Sequence, residues 1–265
     1  IFKVVKDETT LALKLINKEI DLSVANMSPR KVFWLKSQSG IKVWDMPSGN
    51  FQFMGINHKR DLFQDIRVRK AFSLLIPRKD ILEYKLKNTA VLSVGMFSPA
   101  FSDLFVPAEI DKNDVEEARK LLAEAGYPDG KGLPEITHEI PESTTNRQIA
   151  EHLQRCMAQI GIKIKISTNT WPELQKKVHT RSHMTYGMAW SADYPDAENF
   201  LQLLYGPNKA PGANGANYDD PVFNKMFDEA KVMQDSPERT ELYKKINAYI
   251  GEQVPWIFGL HREDY

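Results

Sequence analysis

Cysteine is almost missing from this chain, with Cys156 alone among 265 residues. A single thiol excludes a disulfide within the chain and any cysteine-rich metal site. It says little about compartment. Net charge is missing too: 35 basic side chains face 35 acidic ones. Without a basic tract, nothing pulls the chain toward nucleic acid or an anionic membrane. There is no apolar run of about eighteen residues, the length that reads as a membrane-spanning helix. No GxSxG elbow, glycine-rich phosphate loop or HExxH pattern supports catalysis. No signal-peptide pattern, internal repeat or low-complexity tract occurs. The chain opens on Ile1-Phe2-Lys3-Val4-Val5 rather than on a start Met, and the expectation is a piece cut from something longer.

What is present is enough apolar sequence, 42% of the chain, for one large core or two small ones. Ile1–Val5, Glu19–Val24, Ile41–Trp44 and Phe51–Ile56 read as strands. Helical patterns at Thr9–Asn17 and Pro29–Lys36 separate them, and this alternation predicts an α/β fold. Further on, Asp65–Leu75 predicts a helix with Val68, Ala71, Phe72 and Leu75 inward and Arg67, Arg69 and Lys70 on a solvated face. Asn113–Ala125 predicts another, capped by Asp114 and stopped by Gly126. Thr89–Phe105 reads as loop. Glu135–Ile140, Ile162–Ser167 and Thr185–Trp190 read as strands between helices at Asn146–Ile160 and Trp171–His179. Two helices, Pro221–Met233 and Pro237–Val254, and a closing strand, Pro255–Leu260, complete the pattern.

The densest chemistry lies at Met188–Phe200, MAWSADYPDAENF. Trp190, Asp193, Tyr194, Asp196 and Glu198 set three acids beside two aromatics, a composition suited to holding a cation or an ammonium group. A strand ending in a turn of solvated acids has the same composition, so both readings stand at this point. His179 and His183 are spaced i, i+4, but Thr180-Arg181-Ser182 is a poor helix interior for a metal pair. Cys156 sits beside an apolar helical stripe and reads as an inert, partly buried thiol.

Several segments in collinear order carry a resemblance. They are NKEIDL at Asn17–Leu22, FMGINHKRDLFQDIRVRKAFSLLIPR at Phe53–Arg78, and EEARKLLAEAGYPDG at Glu116–Gly130. Gln159–Ile166 with Trp171, the Trp190–Phe200 stretch, and Pro221–Val254 with Pro255 follow. Together the chain resembles the family 5 extracytoplasmic solute-binding proteins of ABC transporters, the oligopeptide- and dipeptide-binding group, over almost its whole length. The resemblance implies a type II periplasmic-binding-protein-like α/β lobe, the C-terminal portion of a two-lobed jaw. Residues 1–50 would be a remnant of the first lobe, 51–259 the C-terminal lobe, and 260–265 a return segment. Hinge strands would lie near Ser48–Phe51 and Trp256–His261.

The resemblance also implies roles. Asp193 aligns with the acid that pairs with a peptide's N-terminal ammonium. Trp190 and Ser191 would supply a ring wall and strand-like backbone pairing. Tyr194 and Trp171 stand near the pocket, and Asn26 with Met27 would wall it from the first lobe. The partners would be a small-molecule or peptide ligand and the permease of an ABC importer, with no nucleic acid, metal or cofactor, in the periplasm or another extracytoplasmic space. One departure matters. Where relatives place basic side chains for the ligand's carboxylate, this chain has Asn146, Val178 and Gly187, with Arg147, Arg181 and His183 nearby. The ligand is therefore open among peptide, modified peptide, sugar, opine or chelated metal. The same fold could also serve as the sensing domain of a regulator.

Overall fold

The computed structural model describes the chain except residues 2, 6, 25–26, 48, 93–94, 108–113 and 265. Its centre is a five-stranded mixed sheet in the order β5-β4-β6-β2-β7. These strands are β2 (Asn50–Ile56), β4 (Ile136–Pro141), β5 (Ile164–Asn169), β6 (Thr185–Ser191) and β7 (Trp256–Phe258). β4 runs parallel to β5 and β6, whereas β2 runs antiparallel to β6 and β7. A smaller antiparallel sheet joins β1 (Met46–Pro47), β8 (Leu260–Asp264) and β3 (Ala90–Leu92).

Period-two alternation in β2 divides the core between the two faces of the large sheet. Phe51 and Phe53 join Tyr186, Phe200, Phe223 and Trp256 on one face. Met54 and Ile56 join Phe72, Leu153, Ile164 and Ile257 on the other. The second face is covered by α3 (Ile66–Leu74), α5 (Val115–Glu124) and α6 (Thr144–Ala158). The first is covered by α7 (Trp171–His179), α8 (Glu198–Leu201), α9 (Pro221–Ala230) and α10 (Pro237–Gln253). Helix starts follow their caps: Asp114 accepts from Glu117 N–H at 3.0 Å, and Ser143 accepts from Asn146 N–H at 3.1 Å. Gly126, at φ 94°, ends α5 as its sequence position predicts.

Three expected strands do not form. The described residues of Ile1–Val5, Glu19–Val24 and Ile41–Trp44 carry no strand pairing. Alternation supplies an apolar face, but a strand also needs a neighbour. Here Val4, Leu22 and Val24 remain 91%, 64% and 82% exposed. The first fifty residues instead pack α1 (Glu8–Ile16) on α2 (Pro29–Lys36) in a core of their own around Leu11, Ala12, Val32 and Leu35. Thr89–Phe105, expected as loop, contains β3. The Asp80–Leu86 segment becomes a short α4 (Arg78–Asp80) running into a π-helical turn at Ile81–Lys85.

Arg69 also departs from expectation. Instead of lying on a solvated face it is 6% exposed. Its guanidinium donates to the carbonyls of Phe63 and Gln64 at 2.8 and 3.0 Å, and to those of Gln253 and Val254 at 2.8 and 3.1 Å. It thereby ties the start of α3 to the end of α10. A periodic pattern assigned it to water because charge was equated with exposure. Unpaired carbonyls at a helix C-terminus are an equally good home for it.

Candidate functional site

The sheet leaves one strand half-covered. β6 pairs with β2 along all seven of its residues, from Thr185↔Ile56 to Ser191↔Asn50. On its other side β4 pairs only with Thr185 and Tyr186. β4 then turns away at Pro141 into α6. Gly187–Ser191 thus has no strand neighbour on that side among the described residues. In an antiparallel ladder alternate residues aim N–H and C=O away from their partner, so this edge presents unpaired backbone groups.

The edge opens on a cavity of about 600 Å³. Gly187, Met188 and Ala189 form part of its wall, with Asn50, Gln52 and Met54 of β2 beside them. His138 and Ile140 of β4 and Ser143–Asn146 at the start of α6 form the wall beyond the strand edge. Glu8, Met27 and Ser28 close the cavity from the first fifty residues. Glu8 is held in place by Ser28, whose N–H and hydroxyl donate to it at 2.7 and 2.9 Å.

Beyond Ser191 the acidic-aromatic turn is organised by a residue that carries no motif of its own. Asn199 is fully buried. Its side-chain carbonyl accepts from the Trp190 indole N–H at 2.8 Å and from the Asp193 backbone N–H at 3.1 Å. Its amide donates to the Asp193 carboxylate at 3.3 Å. Its only sequence signal is an amide between Glu198 and the apolar pair Phe200 and Leu201.

The acids of the turn are treated differently. Asp196 is paired within the protein, accepting from Arg239 at 2.6 Å and from the Tyr243 hydroxyl at 3.1 Å. Burial would push its carboxyl up, but the Glu198 N–H, Arg239 and Tyr243 outweigh that and hold it below the usual carboxylate range. Glu198 accepts from the Tyr194 hydroxyl at 2.7 Å, and burial together with that acid pushes the phenol up. Asp193 is exposed and has no ion pair among the described residues.

The other expected ligand residues fall as follows. Ser191 ends β6 and accepts from the Asn50 side chain at 3.2 Å. Trp190 packs against the core face of the sheet. Tyr194 is 42% exposed beside Asp193, and Trp171 is 50% exposed at the start of α7. Asn26 lies outside the described residues. The cavity wall at β6 ends at Ala189, and Trp171, Trp190, Ser191, Asp193 and Tyr194 are not among the residues lining the cavity. Of the aligned basic positions, Val178 is buried, whereas Gly187 and Asn146 both face the cavity. Arg147 pairs with Glu151 at 3.1 Å, and Arg181 donates to the Ala210 carbonyl. His183 is buried with Nδ1 toward the Lys177 carbonyl, beyond the end of α7 at His179. No cluster of three metal-binding side chains occurs among the described residues.

The family model for bacterial extracellular solute-binding proteins, family 5 Middle, matches residues 1–212. The chain belongs to this family of solute-binding proteins. It is similar to the di/tripeptide-binding protein 3 of Pseudomonas aeruginosa, 27% identical over 260 residues, covering 96% of this chain and 48% of that protein. It is equally similar, 27% over 268 residues, to heme-binding protein A of Haemophilus influenzae, covering 98% of this chain and 48% of that one. Among solved structures it matches the periplasmic binding protein DppA of Helicobacter pylori in complex with the peptide STSA. That match has a TM-score of 0.85 and 25% identity, covering 99% of this chain and 51% of that one. The chain thus spans about half the length of the relatives it matches, and its fold is α/β. No helix among the described residues is long and apolar enough to cross a membrane.

Proposed function

We propose that this chain is one jaw of a non-catalytic binding protein that holds a peptide or peptide-like solute. The observation that carries this reading is the open edge of β6 inside a cavity. An extended peptide added there continues the sheet through its own backbone, whatever its side chains. Asp193 stands just past the end of that edge. It is positioned by Asn199 and has no cation of its own among the described residues. A ligand ammonium would complete it, and closure of a second jaw would strengthen the pair by removing water.

In this reading residues 1–50 belong to the first lobe, with residues 51–259 as the C-terminal lobe and 260–265 the return segment. The exposed Val4, Leu22 and Val24 would meet the rest of that first lobe. The crossings at β1–β2 and β7–β8 serve as the hinge, where His261 Nδ1 meets the Asn50 carbonyl at 3.1 Å. The full protein would work outside the cytoplasmic membrane and hand its solute to an ABC importer's permease. Similarity to a peptide-binding and to a heme-binding relative at equal identity keeps a non-peptide solute as the second reading.

Calorimetry on the full-length protein separates the two. Tri-alanine should bind, N-acetyl-tri-alanine should bind at least tenfold more weakly, and Asp193→Asn should remove that difference. Haem binding with no response to any peptide would overturn the peptide reading.

A further inference from the structure

The cavity contains a recess where β6 carries no side chain. Gly187 sits on β6 level with the end of β4. A Cβ placed on it would lie 3.5 Å from Ile140 and 3.6 Å from His138 Nε2. His138 is 5% exposed and lines the cavity. Its Nδ1 lies 3.0 Å from the Thr185 hydroxyl. That hydroxyl has one proton and donates it to the Thr137 carbonyl at 3.2 Å. With its proton there, the hydroxyl accepts from Nδ1–H, the tautomer in which Nε2 is a bare acceptor. Nε2 is left as a bare lone pair beside Gly187, with no protein donor among the described residues.

Burial holds this imidazole down to about 4, so it is a neutral acceptor at neutral pH. An acceptor left without a donor once a ligand has expelled water is costly, and a donor on the ligand avoids that cost. The same cavity is lined by Thr144 and Thr145, in the first turn of the fifteen-residue α6. Their N–H groups precede the one capped by Ser143 and are among the orphan donors of a helix start. Acceptor and donors thus stand on the β4–α6 side of the cavity, while its two lining cations, Arg78 and Arg262, belong to α4 and β8.

We propose that the Gly187 recess is a subsite for a neutral ligand group that both donates and accepts hydrogen bonds, a carboxamide or a hydroxyl-bearing side chain, with His138 Nε2 as its acceptor. A carboxylate would bring a second lone pair against Nε2, and the cavity's cations, Arg78 and Arg262, stand on other elements, with Arg78 already donating to the Phe258 and Ser73 carbonyls. A purely apolar group would leave both sides unmatched. The subsite rests on the solute-binding reading of the cavity, but not on the solute being a peptide.

The test uses full-length protein carrying ¹⁵N-histidine. At pH 7 the His138 spectrum should show Nδ1 protonated and Nε2 bare. Titration with acetamide should shift the Nε2 resonance saturably, acetate should not, and Gly187→Val should abolish the response. A protonated Nε2, or an equal response to acetate, overturns the subsite. A tetra-alanine scan by calorimetry then places Gln, Glu or Leu at each position in turn. One position should favour Gln at least tenfold over both, and His138→Phe should cut that preference below threefold. If no peptide binds while acetamide still shifts Nε2, the peptide reading fails and the subsite stands. If peptides bind with Gln, Glu and Leu equivalent throughout, the subsite fails and the peptide reading stands.

Discussion

Trp190 and Asn199 are joined by an indole N–H to amide-carbonyl bond of 2.8 Å, nine residues apart along the chain. The same carbonyl takes the Asp193 N–H, so one buried amide holds both the Trp190 ring and the Asp193 turn. Asn199→Leu keeps the volume and removes the acceptor. It should cost about 1–3 kcal/mol, the cost of leaving the partly buried indole and backbone N–H groups unmatched. It should also weaken tri-alanine binding by the full-length protein, because the Asp193 turn loses its anchor. Urea midpoints and calorimetry check the two effects separately, and a variant unchanged in both would contradict the positioning role.

Arg69 makes a different demand. Its donors reach four carbonyls on two elements, and no other described side chain is shown to replace them. Arg69→Met should lower stability by roughly 2–4 kcal/mol, since it uncovers the last carbonyls of α10 and the turn before α3 together. Arg69→Lys should recover little, because a point ammonium cannot span the fork. Thermal melts of the three proteins measure this directly; full recovery by lysine would show that charge alone is required.

These two residues mark what was legible in the sequence and what was not. The α/β fold, the cap at Asp114, the stop at Gly126 and the order of the later helices follow from local signals that act over a few residues, whereas α6 begins after its Ser143 cap, ahead of the Asn146 start that periodicity predicts. The strands expected before residue 45 failed because pairing depends on a neighbour that periodicity cannot show. Asp193 stands out because its surroundings are unusual in composition. Asn199 and His138 do not, because a single amide after Glu198, or an imidazole between Thr137 and Glu139, gives no signal until the chain brings Trp190 or Gly187 against it. In the sequence Gly187 is legible only as a missing basic residue. That its absence opens a recess is a fact of packing.

Two glycines on neighbouring strands should respond oppositely to one added methyl. A Cβ on Gly55 would overlap the Tyr186 ring, which is buried and held within the core. A Cβ on Gly187 meets only ordinary contacts at 3.5 Å and beyond. Gly55→Ala should therefore cost about 1–3 kcal/mol through overpacking, while Gly187→Ala should stay within about 0.5 kcal/mol of the parent. Denaturant titration of both variants decides it, and a Gly187→Ala loss as large as that of Gly55→Ala would mean the recess is already filled.

Acidification should destabilise the protein before its carboxylates titrate. His58, His138 and His261 are each pushed down to about 4 by burial, against an ordinary value of 6.5. The folded state therefore refuses protons that the unfolded chain accepts. Their contribution is complete above about pH 6.5 and is lost progressively as the pH falls toward about 4, below which these groups change nothing further. A tenfold difference in proton affinity between folded and unfolded chain is worth about 1.4 kcal/mol. Each histidine therefore withdraws on the order of 3–4 kcal/mol across that window. Paired acids such as Asp196, held below the ordinary 3.8, add their own loss only at lower pH. The urea midpoint should fall steadily from pH 7 to pH 5. His58→Gln, whose amide keeps a donor toward the Pro255 carbonyl that His58 Nε2 meets at 2.9 Å, should show a shallower slope. A midpoint constant from pH 7 to pH 5 would show that these imidazoles are hydrated and free to charge in the folded protein.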